Sequence, residues 1–437
     1  MYQPRNIDIK LAGWARQQAR SPLIIRGARQ VGKSSSVENL ASTLFSSCAT
    51  LDFEAYPSLA TIFEPDLDPK RIVRDLEAFI GMHIIPGKTL LFMDEIQECP
   101  KAISSLRYFK EKFPELHVIA AGSLLEFALG DISFPVGRVD YLYMHPLTFE
   151  EFLRATKREI LAQVIPEFRA PPELFPSGPV CHKLFDALRE YLIVGGMPEA
   201  VVTYAASNSF LEVAKVHDKL LRSFRDDIPK YASGDLQKNN LLHVFNSLAL
   251  GIGREVTYTK LYDDDPKRTK ISVYLLQKAM LVNLVHSVSP SGLPLGASRD
   301  DKRFKPIFID IGLMQRAAGR TAQDVIKSID LVAAFKGQIA EQFVGQELIA
   351  RERITGDGEL YFWRRSEKSS TAEVDYLIVR DGEIIPVEVK SGTSGSLKSL
   401  HLLLKIYQNV THSVCLQVRY DTSRIGGVIF MPLFVKL

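Results

Sequence analysis

The chain has 437 residues, of which 46% are hydrophobic and 24% charged, with a formal net charge of +3 at pH 7. That length exceeds what a single core sustains and predicts about two to four globular domains. The small net charge excludes a global field for nucleic acid and leaves only a local patch. No run of about 18 apolar residues is present to span a membrane. The polar stretch Met1 to Lys10 has no signal-peptide core. The four cysteines, Cys48, Cys99, Cys181 and Cys415, are scattered without a Cys-x-x-Cys pair. They point to reduced thiols in the cytoplasm and away from a zinc site.

Residues 20 to 150 alternate apolar runs with helical stretches, the pattern of a parallel α/β sheet. Leu23–Arg26, Ala49–Asp52, Thr89–Asp94, His117–Ala121 and Val139–Met144 are the predicted strands. Directly after the first, Gly27-Ala28-Arg29-Gln30-Val31-Gly32-Lys33-Ser34 spells a complete phosphate-binding loop. Its backbone N–H groups can wrap a β-phosphate where small residues let the chain approach. Lys33 reaches the β/γ-phosphates, and the Ser34 hydroxyl holds Mg²⁺. The loop, with Ser35 behind it, needs a helix next. Ser34 to Phe45 supplies one, with Val37, Leu40, Ala41 and Leu44 at helical spacing. The predicted ligand is ATP with Mg²⁺.

The strand Thr89 to Asp94 is apolar throughout and ends in Asp94-Glu95. Such a strand is buried on both faces, and its C-terminal end faces the phosphate crevice. Asp94 is expected to hold Mg²⁺ through water and Glu95 to polarise the attacking water as general base. His117 to Ser123 is a second buried strand ending in a polar residue. Ser123 either touches the γ-phosphate or caps a following helix. Arg138, after Gly137, is either a solvated side chain or a cation that reaches a neighbouring subunit's γ-phosphate in a homo-oligomer.

Pro166 to Pro179 marks an insertion or linker, and residues 181 to 235 read as helical. From about 236 to 315 the pattern is three helices and a strand pair. The helices are Asn240–Leu250, Tyr258–Tyr262 and one begun by Asp265 as N-cap with Pro266 behind it. The third carries Ile271, Tyr274 and Leu275 on one face. The strand pair Leu281–Val288 and Lys305–Asp310 completes the description of a winged helix-turn-helix. Lys267-Arg268-Thr269-Lys270 places basic charge in the first turn of its third helix, against the macrodipole, which points to a phosphate partner such as DNA. Asp263-Asp264-Asp265 beside it could equally offset a solvated basic turn.

With these residues in view the chain resembles AAA+ ATPases. More closely it resembles prokaryotic ATPases with an AAA core, a winged helix and a restriction-endonuclease-like tail numbered domain of unknown function 4143. The resemblance rests on Gly27 to Lys33, Asp94-Glu95-Ile96-Gln97, Ala121-Gly122-Ser123, Gly137-Arg138 and Pro146-Leu147-Thr148-Phe149. It continues through Gly195-Gly196-Met197-Pro198 and Phe308-Ile309-Asp310-Ile311-Gly312-Leu313. It implies an α/β multidomain chain. Residues 1–160 would be a P-loop AAA core, 161–235 a helical lid, 236–330 the winged helix, and 331–437 a nuclease-like α/β domain. Ser34 stands where threonine is commoner, and both supply a hydroxyl.

In the tail, Gly337 to Glu341 opens a helix, Glu373 to Val379 is a strand, Asp381-Gly382 is a hairpin turn, and Ile385 to Lys390 is the return strand. Alternation puts Glu388 and Lys390 on one face, beside Asp375 on the paired strand, with Glu341 approaching from the helix. This resembles a PD-(D/E)xK nuclease. The resemblance implies that Asp375 and Glu388 ligate Mg²⁺, Lys390 orients or deprotonates the nucleophile, and Glu341 completes the acidic shell. A salt-bridged polar face would look the same in sequence. From Leu331 to Leu437 there are 13 Lys/Arg and 12 Asp/Glu, a net of +1, which does not advertise a strong DNA surface.

Overall fold

The structure is a computed structural model. It describes every residue except Met1, Leu124, 126–136, Ser233, 263–264, 321–336, Arg353, 355–357, Ser366, 368–370, 392–396 and 420–422, and the side chain of Pro172. Asp263 and Asp264, and the expected boundary between residues 330 and 331, therefore lie outside the described residues. Two compact units divide the chain. The first is built on Met1–His145, and the second comprises Pro146–Glu352 and Gly358–Leu437.

The first unit is a five-stranded parallel sheet in the order β2-β3-β4-β1-β5. The strands are β1 (Leu23–Arg26), β2 (Ser47–Asp52), β3 (Thr89–Asp94), β4 (His117–Gly122) and β5 (Asp140–Tyr143). Helices α1 (Ile7–Ala15), α2 (Lys33–Leu44), α3 (Pro69–Ile80) and α4 (Pro100–Lys112) accompany them. Leu90 to Met93 and Val118 to Ala121 are fully buried, as continuous apolar runs in a covered parallel sheet must be. Proline opens α3 and α4 at the position whose N–H has no intrahelical partner. Gly81, at φ +75°, closes α3. The core joins Ile24, Leu91, Met93 and Val118 of the sheet to Phe53, Phe63, Ile72, Leu76, Leu106 and Phe109. Each such side chain contributes roughly 1.5–3 kcal/mol by leaving water.

The second unit begins with helices. These are α5 (Phe149–Ala155), α6 (Glu159–Gln163), α7 (Gly178–Val194), α8 (Pro198–Ser207) and α9 (Phe210–Asp227). Thr148 and Glu151 form a reciprocal capping box at the start of α5. Then come α10 (Asp235–Leu250), α11 (Tyr258–Leu261) and α12 (Pro266–Lys278). Asp265 caps α12 by accepting from the N–H groups of Lys267 and Arg268. The face of Ile271 and Tyr274 is the exposed one, at 51% and 54% exposure. The buried face is instead Thr269, Ser272, Val273 and Leu276. Ser272 donates to Asn240 Oδ1 at 2.6 Å and accepts from Gln237 Nε2 at 2.8 Å, so small polar residues seat α12 on α10.

An eight-stranded mixed sheet follows, in the order β12-β13-β11-β10-β9-β8-β6-β7. Its strands are β6 (Val282–Ser287), β7 (Asp300–Phe308), β8 (Tyr361–Arg364), β9 (Glu373–Arg380), β10 (Glu383–Lys390), β11 (Ser413–Gln417), β12 (Ser423–Ile425) and β13 (Val428–Pro432). Helices α13 (Ile311–Ala317), α14 (Gly337–Glu352) and α15 (Lys398–Ile406) complete the unit. The strand pair expected in the winged helix-turn-helix, β6 and β7, lies at one edge of this sheet, because β6 runs parallel to β8 with His286 opposite Tyr361 and Ser287 opposite Phe362. The physical reason is burial. Val282 to His286 are all buried, and a wing standing in solvent would alternate. The turn Asp381-Gly382 has both residues at positive φ, +50° and +79°, as a two-residue hairpin of this hand requires.

One buried carboxylate ties the helical part of this unit to its sheet. Asp310, 0% exposed, caps α13 through the N–H of Leu313 at 3.0 Å and accepts from Gly196 N–H at 2.6 Å. A Cβ at Gly195 would lie 2.2 Å from Asp310 Oδ1, and one at Gly196 would lie 2.1 Å from the Leu147 carbonyl oxygen. The pair Gly195-Gly196 is therefore a close-approach device. Asp310→Ala strands two buried N–H groups and is expected to cost about 2–5 kcal/mol. Gly195→Ala adds a steric conflict and φ strain at +74°. Urea unfolding should show the second unit's transition shifted to lower denaturant in both, and an unshifted midpoint in Asp310→Ala contradicts this account.

Candidate nucleotide site and the carboxylate–lysine cluster

In the first unit, the loop Gly27 to Ser34 joins β1 to α2. Gly27 sits against the Met144 carbonyl, 2.5 Å from where a Cβ would be, so only glycine fits. Gln30 (φ +65°) and Gly32 (φ +98°) bend the backbone through the left-handed region, the kind of turn that aims successive N–H groups at an anion. Ala28 and Val31 are buried, Arg29 pairs with Glu54 at 3.2 Å, and Ser35 is exposed. Arg5, which the sequence pattern did not single out, braces the loop from behind. Its guanidinium donates to the carbonyls of Val31 (3.0 Å) and His145 (2.6 Å).

Lys33 is 6% exposed, and its ammonium donates to the Gly27 and Ala28 carbonyls, both at 3.0 Å. Burial lowers its pKa to about 8, against the opposing pull of Glu95 and Asp94. Ser34 Oγ donates to Asp94 Oδ2 at 2.6 Å. A hydroxyl and a carboxylate meeting at the mouth of the loop are hard oxygen donors that fit Mg²⁺. Burial raises the Asp94 pKa, and the Ser34 hydrogen bond works against that rise.

Strand order explains the rest of this site. Because β4 lies between β1 and β3, the buried Ser123 follows a strand flanked by the loop on one side and Asp94-Glu95 on the other. Glu95 is a non-glycine residue at φ +47°, ψ +44°, a conformation that costs roughly 1–2 kcal/mol and collects at functional sites. Gln97 holds it there, with Nε2 donating to Glu95 Oε2 at 2.7 Å. The Gln97 side-chain oxygen lies 2.2 Å from where a Cβ of Gly122 would stand, so the glycine before Ser123 makes room for the glutamine. Arg138 is 47% exposed, with Nε 3.4 Å from Glu111 Oε1.

The second cluster lies wholly in the second unit. Lys390 Nζ reaches Glu388 Oε1 at 2.5 Å, as their shared face requires. Asp375 Oδ2 accepts from Val389 N–H at 2.8 Å, which joins β9 to β10. At the centre is a residue absent from the sequence expectation. Lys305 of β7 is 2% exposed, with Nζ 2.5 Å from Glu373 Oε1, 3.2 Å from Asp375 Oδ1 and 3.3 Å from Glu341 Oε2. Burial works against its charge, yet Asp375, Glu341 and Glu373 together hold its pKa well above the ordinary lysine value. Burial and the charge of Asp375 push Glu341 up to about 8 and Glu388 up to about 7.

The carboxylates Asp375, Glu388 and Glu341 thus come together, but Asp375 and Glu341 enclose an ammonium. The set does not fit a divalent ion in this arrangement. Among the described residues no group of three or more His, Cys, Asp or Glu is disposed to hold a metal. The signal that could have found Lys305 is the run Phe304-Lys305-Pro306-Ile307-Phe308, buried at every position. A lone lysine inside a strand covered on both faces needs carboxylate partners.

Comparison with known proteins finds three family matches along the chain. The AAA domain family matches residues 19–153, a domain of unknown function (DUF8612) matches 185–324, and a second (DUF4143) matches 336–434. No curated protein matches the chain. Among solved structures, the RuvB Holliday junction branch migration motor of Thermotoga maritima is 14% identical, with 65% of this chain and 90% of that one covered at a TM-score of 0.30. Drosophila ORC bound to DNA is 12% identical over 74% and 85% of the two chains at 0.29. PCH-2 of C. elegans is 12% identical over 49% and 67% at 0.29. Among the described residues no helix is long and apolar enough to cross a membrane. The chain carries an AAA-type ATPase domain, whose match spans the phosphate loop and the Asp94-Glu95 strand, and a DUF4143 domain at its C-terminal end.

Proposed function

We propose that the chain is a Mg²⁺-dependent ATPase whose nucleotide state controls an effector half acting on DNA. The observation that supports this most is the convergence of Lys33, Ser34 and Asp94 at the end of one loop, with Glu95 held beside them. In this reading the N–H groups of Ala28 to Ser34 bind the phosphates. Lys33 exchanges its two backbone carbonyls for phosphate oxygens. Ser34 and Asp94 hold Mg²⁺, which when bound neutralises charge on the triphosphate. Glu95 orients the attacking water and takes its proton. Ser123 contacts the γ-phosphate or that water. Arg138 serves a neighbouring copy in a cytoplasmic homo-oligomer.

For the effector half, α12 supports contact with DNA phosphates. Lys267 and Lys270 are exposed on its first turns. A second reading, a nucleotide-switched interaction protein, is favoured by the exposed Ile271 and Tyr274 on the same helix. Exposed apolar side chains suit a protein partner better than a phosphate backbone.

Three outcomes follow. Lys33→Ala should abolish nucleotide binding, and Glu95→Gln should bind ATP while turnover falls on the order of 10²–10⁴-fold. Wild-type turnover in Glu95→Gln removes Glu95 as base. Second, binding should take up protons at alkaline pH. Free Lys33 titrates near 8 and phosphate contact favours its charged form, so affinity falls as pH rises through 8. Calorimetry at about pH 8.5 in two buffers of different ionisation heat reads this directly, and identical heats rule it out. Third, Lys267→Ala and Lys270→Ala should each weaken DNA binding uniformly across sequences and lower the salt slope by about one. Unchanged DNA binding, with loss of a protein partner in Ile271→Ala, selects the second reading.

A further inference from the structure

The tail's acidic cluster already contains a cation. Lys305 offers three N–H donors, and three carboxylate oxygens from α14 and β9 lie within 3.3 Å of its nitrogen. The ammonium is thereby saturated, as a buried charge must be to persist. The ring of Phe362, 5.4 Å from the nitrogen, helps close the pocket. Lys390 takes Glu388 at 2.5 Å.

A divalent ion on the same carboxylate oxygens would stand against this buried ammonium, and the two like charges would repel strongly where water screens them little. The strand that carries Lys305 is tied to α14 as well. The end of its strand is pinned by Gln342, which accepts from Phe308 N–H at 2.9 Å and donates to the Phe308 carbonyl at 2.8 Å. Gln346 continues the seam by accepting from Ile311 N–H at 2.9 Å.

We infer that Lys305 is the resident cation of this pocket, standing where a metal-dependent nuclease would hold its ion, and that the tail binds no divalent metal and cleaves no phosphodiester. Lys305 acts as an ionic rivet. It comes from the segment matched by DUF8612 and locks onto carboxylates in the segment matched by DUF4143. The inference goes beyond the ATPase reading and does not depend on it.

Mn²⁺ binding to the full chain, followed by electron paramagnetic resonance without nucleotide and in an Asp94→Asn background, tests it. The chain with Lys305 intact should leave the free-Mn²⁺ signal undiminished. Lys305→Met should gain one Mn²⁺ per chain, and Asp375→Asn added to it should remove that ion. One Mn²⁺ bound with Lys305 present and lost in Asp375→Asn overturns the inference, as does a folded Lys305→Met that binds none. The arm with Lys305 intact decides the matter even if Lys305→Met fails to fold. Mg²⁺-dependent plasmid nicking that Asp375→Asn abolishes also overturns it.

Discussion

A lysine ammonium taken out of water has to be balanced, and two such groups organise this chain in opposite ways. Lys33 is 6% exposed and donates to two backbone carbonyls, and burial outweighs the pull of Glu95 and Asp94, so its pKa falls. Lys305 is 2% exposed, ringed by carboxylates, and its pKa rises. The first is under-compensated, which is the state of a group suited to an incoming anion. The second is saturated, which is the state of a structural charge. Residue type alone does not separate these roles, but the neighbours do.

The strand order of the first unit makes the under-compensated lysine useful. Parallel strands deliver their C-terminal ends to one edge, and β1, β4 and β3 are consecutive there. The loop, Ser123 and the acidic pair therefore share that edge without any long excursion of the chain. Local devices then refine the arrangement. Arg5 braces the loop, glycine at 27 and 122 makes room, and Gln97 fixes a glutamate in a conformation it would otherwise avoid. The second unit uses the same logic for rigidity. Asp310 gathers backbone N–H groups from two elements, and glycines at 195 and 196 allow the approach.

Much of this was legible in the sequence where the signal is local. All five strands of the first unit fall within about two residues of their expected ends, and for the central β1, β3 and β4 the reason is that buried parallel strands are unbroken apolar runs. The Asp265 cap and the Asp381-Gly382 turn follow from side-chain and backbone preferences of single residues. What was not legible depends on partners distant in the chain. Ile271, Tyr274 and Leu275 do share a helical face, but Ser272 packs on α10 because Asn240 and Gln237 are there to bond. The pair β6–β7 fits a wing until β8, some 75 residues later, lies beside it. Lys305 stands in the sequence only as the first residue of a predicted strand, while its partners come 36 to 70 positions downstream.

Hydrogen exchange of the wild-type chain tests both lysines together, compared with Mg²⁺ alone and with Mg²⁺ plus a slowly hydrolysed ATP analogue. The account predicts that the amides of Gly27 to Ser35 and Asp94 to Gln97 slow markedly with nucleotide, and that Glu373 to Lys390 exchange identically with and without Mg²⁺. Unchanged exchange across the loop when the analogue is saturating, or protection of the tail strands by Mg²⁺ alone, would contradict it.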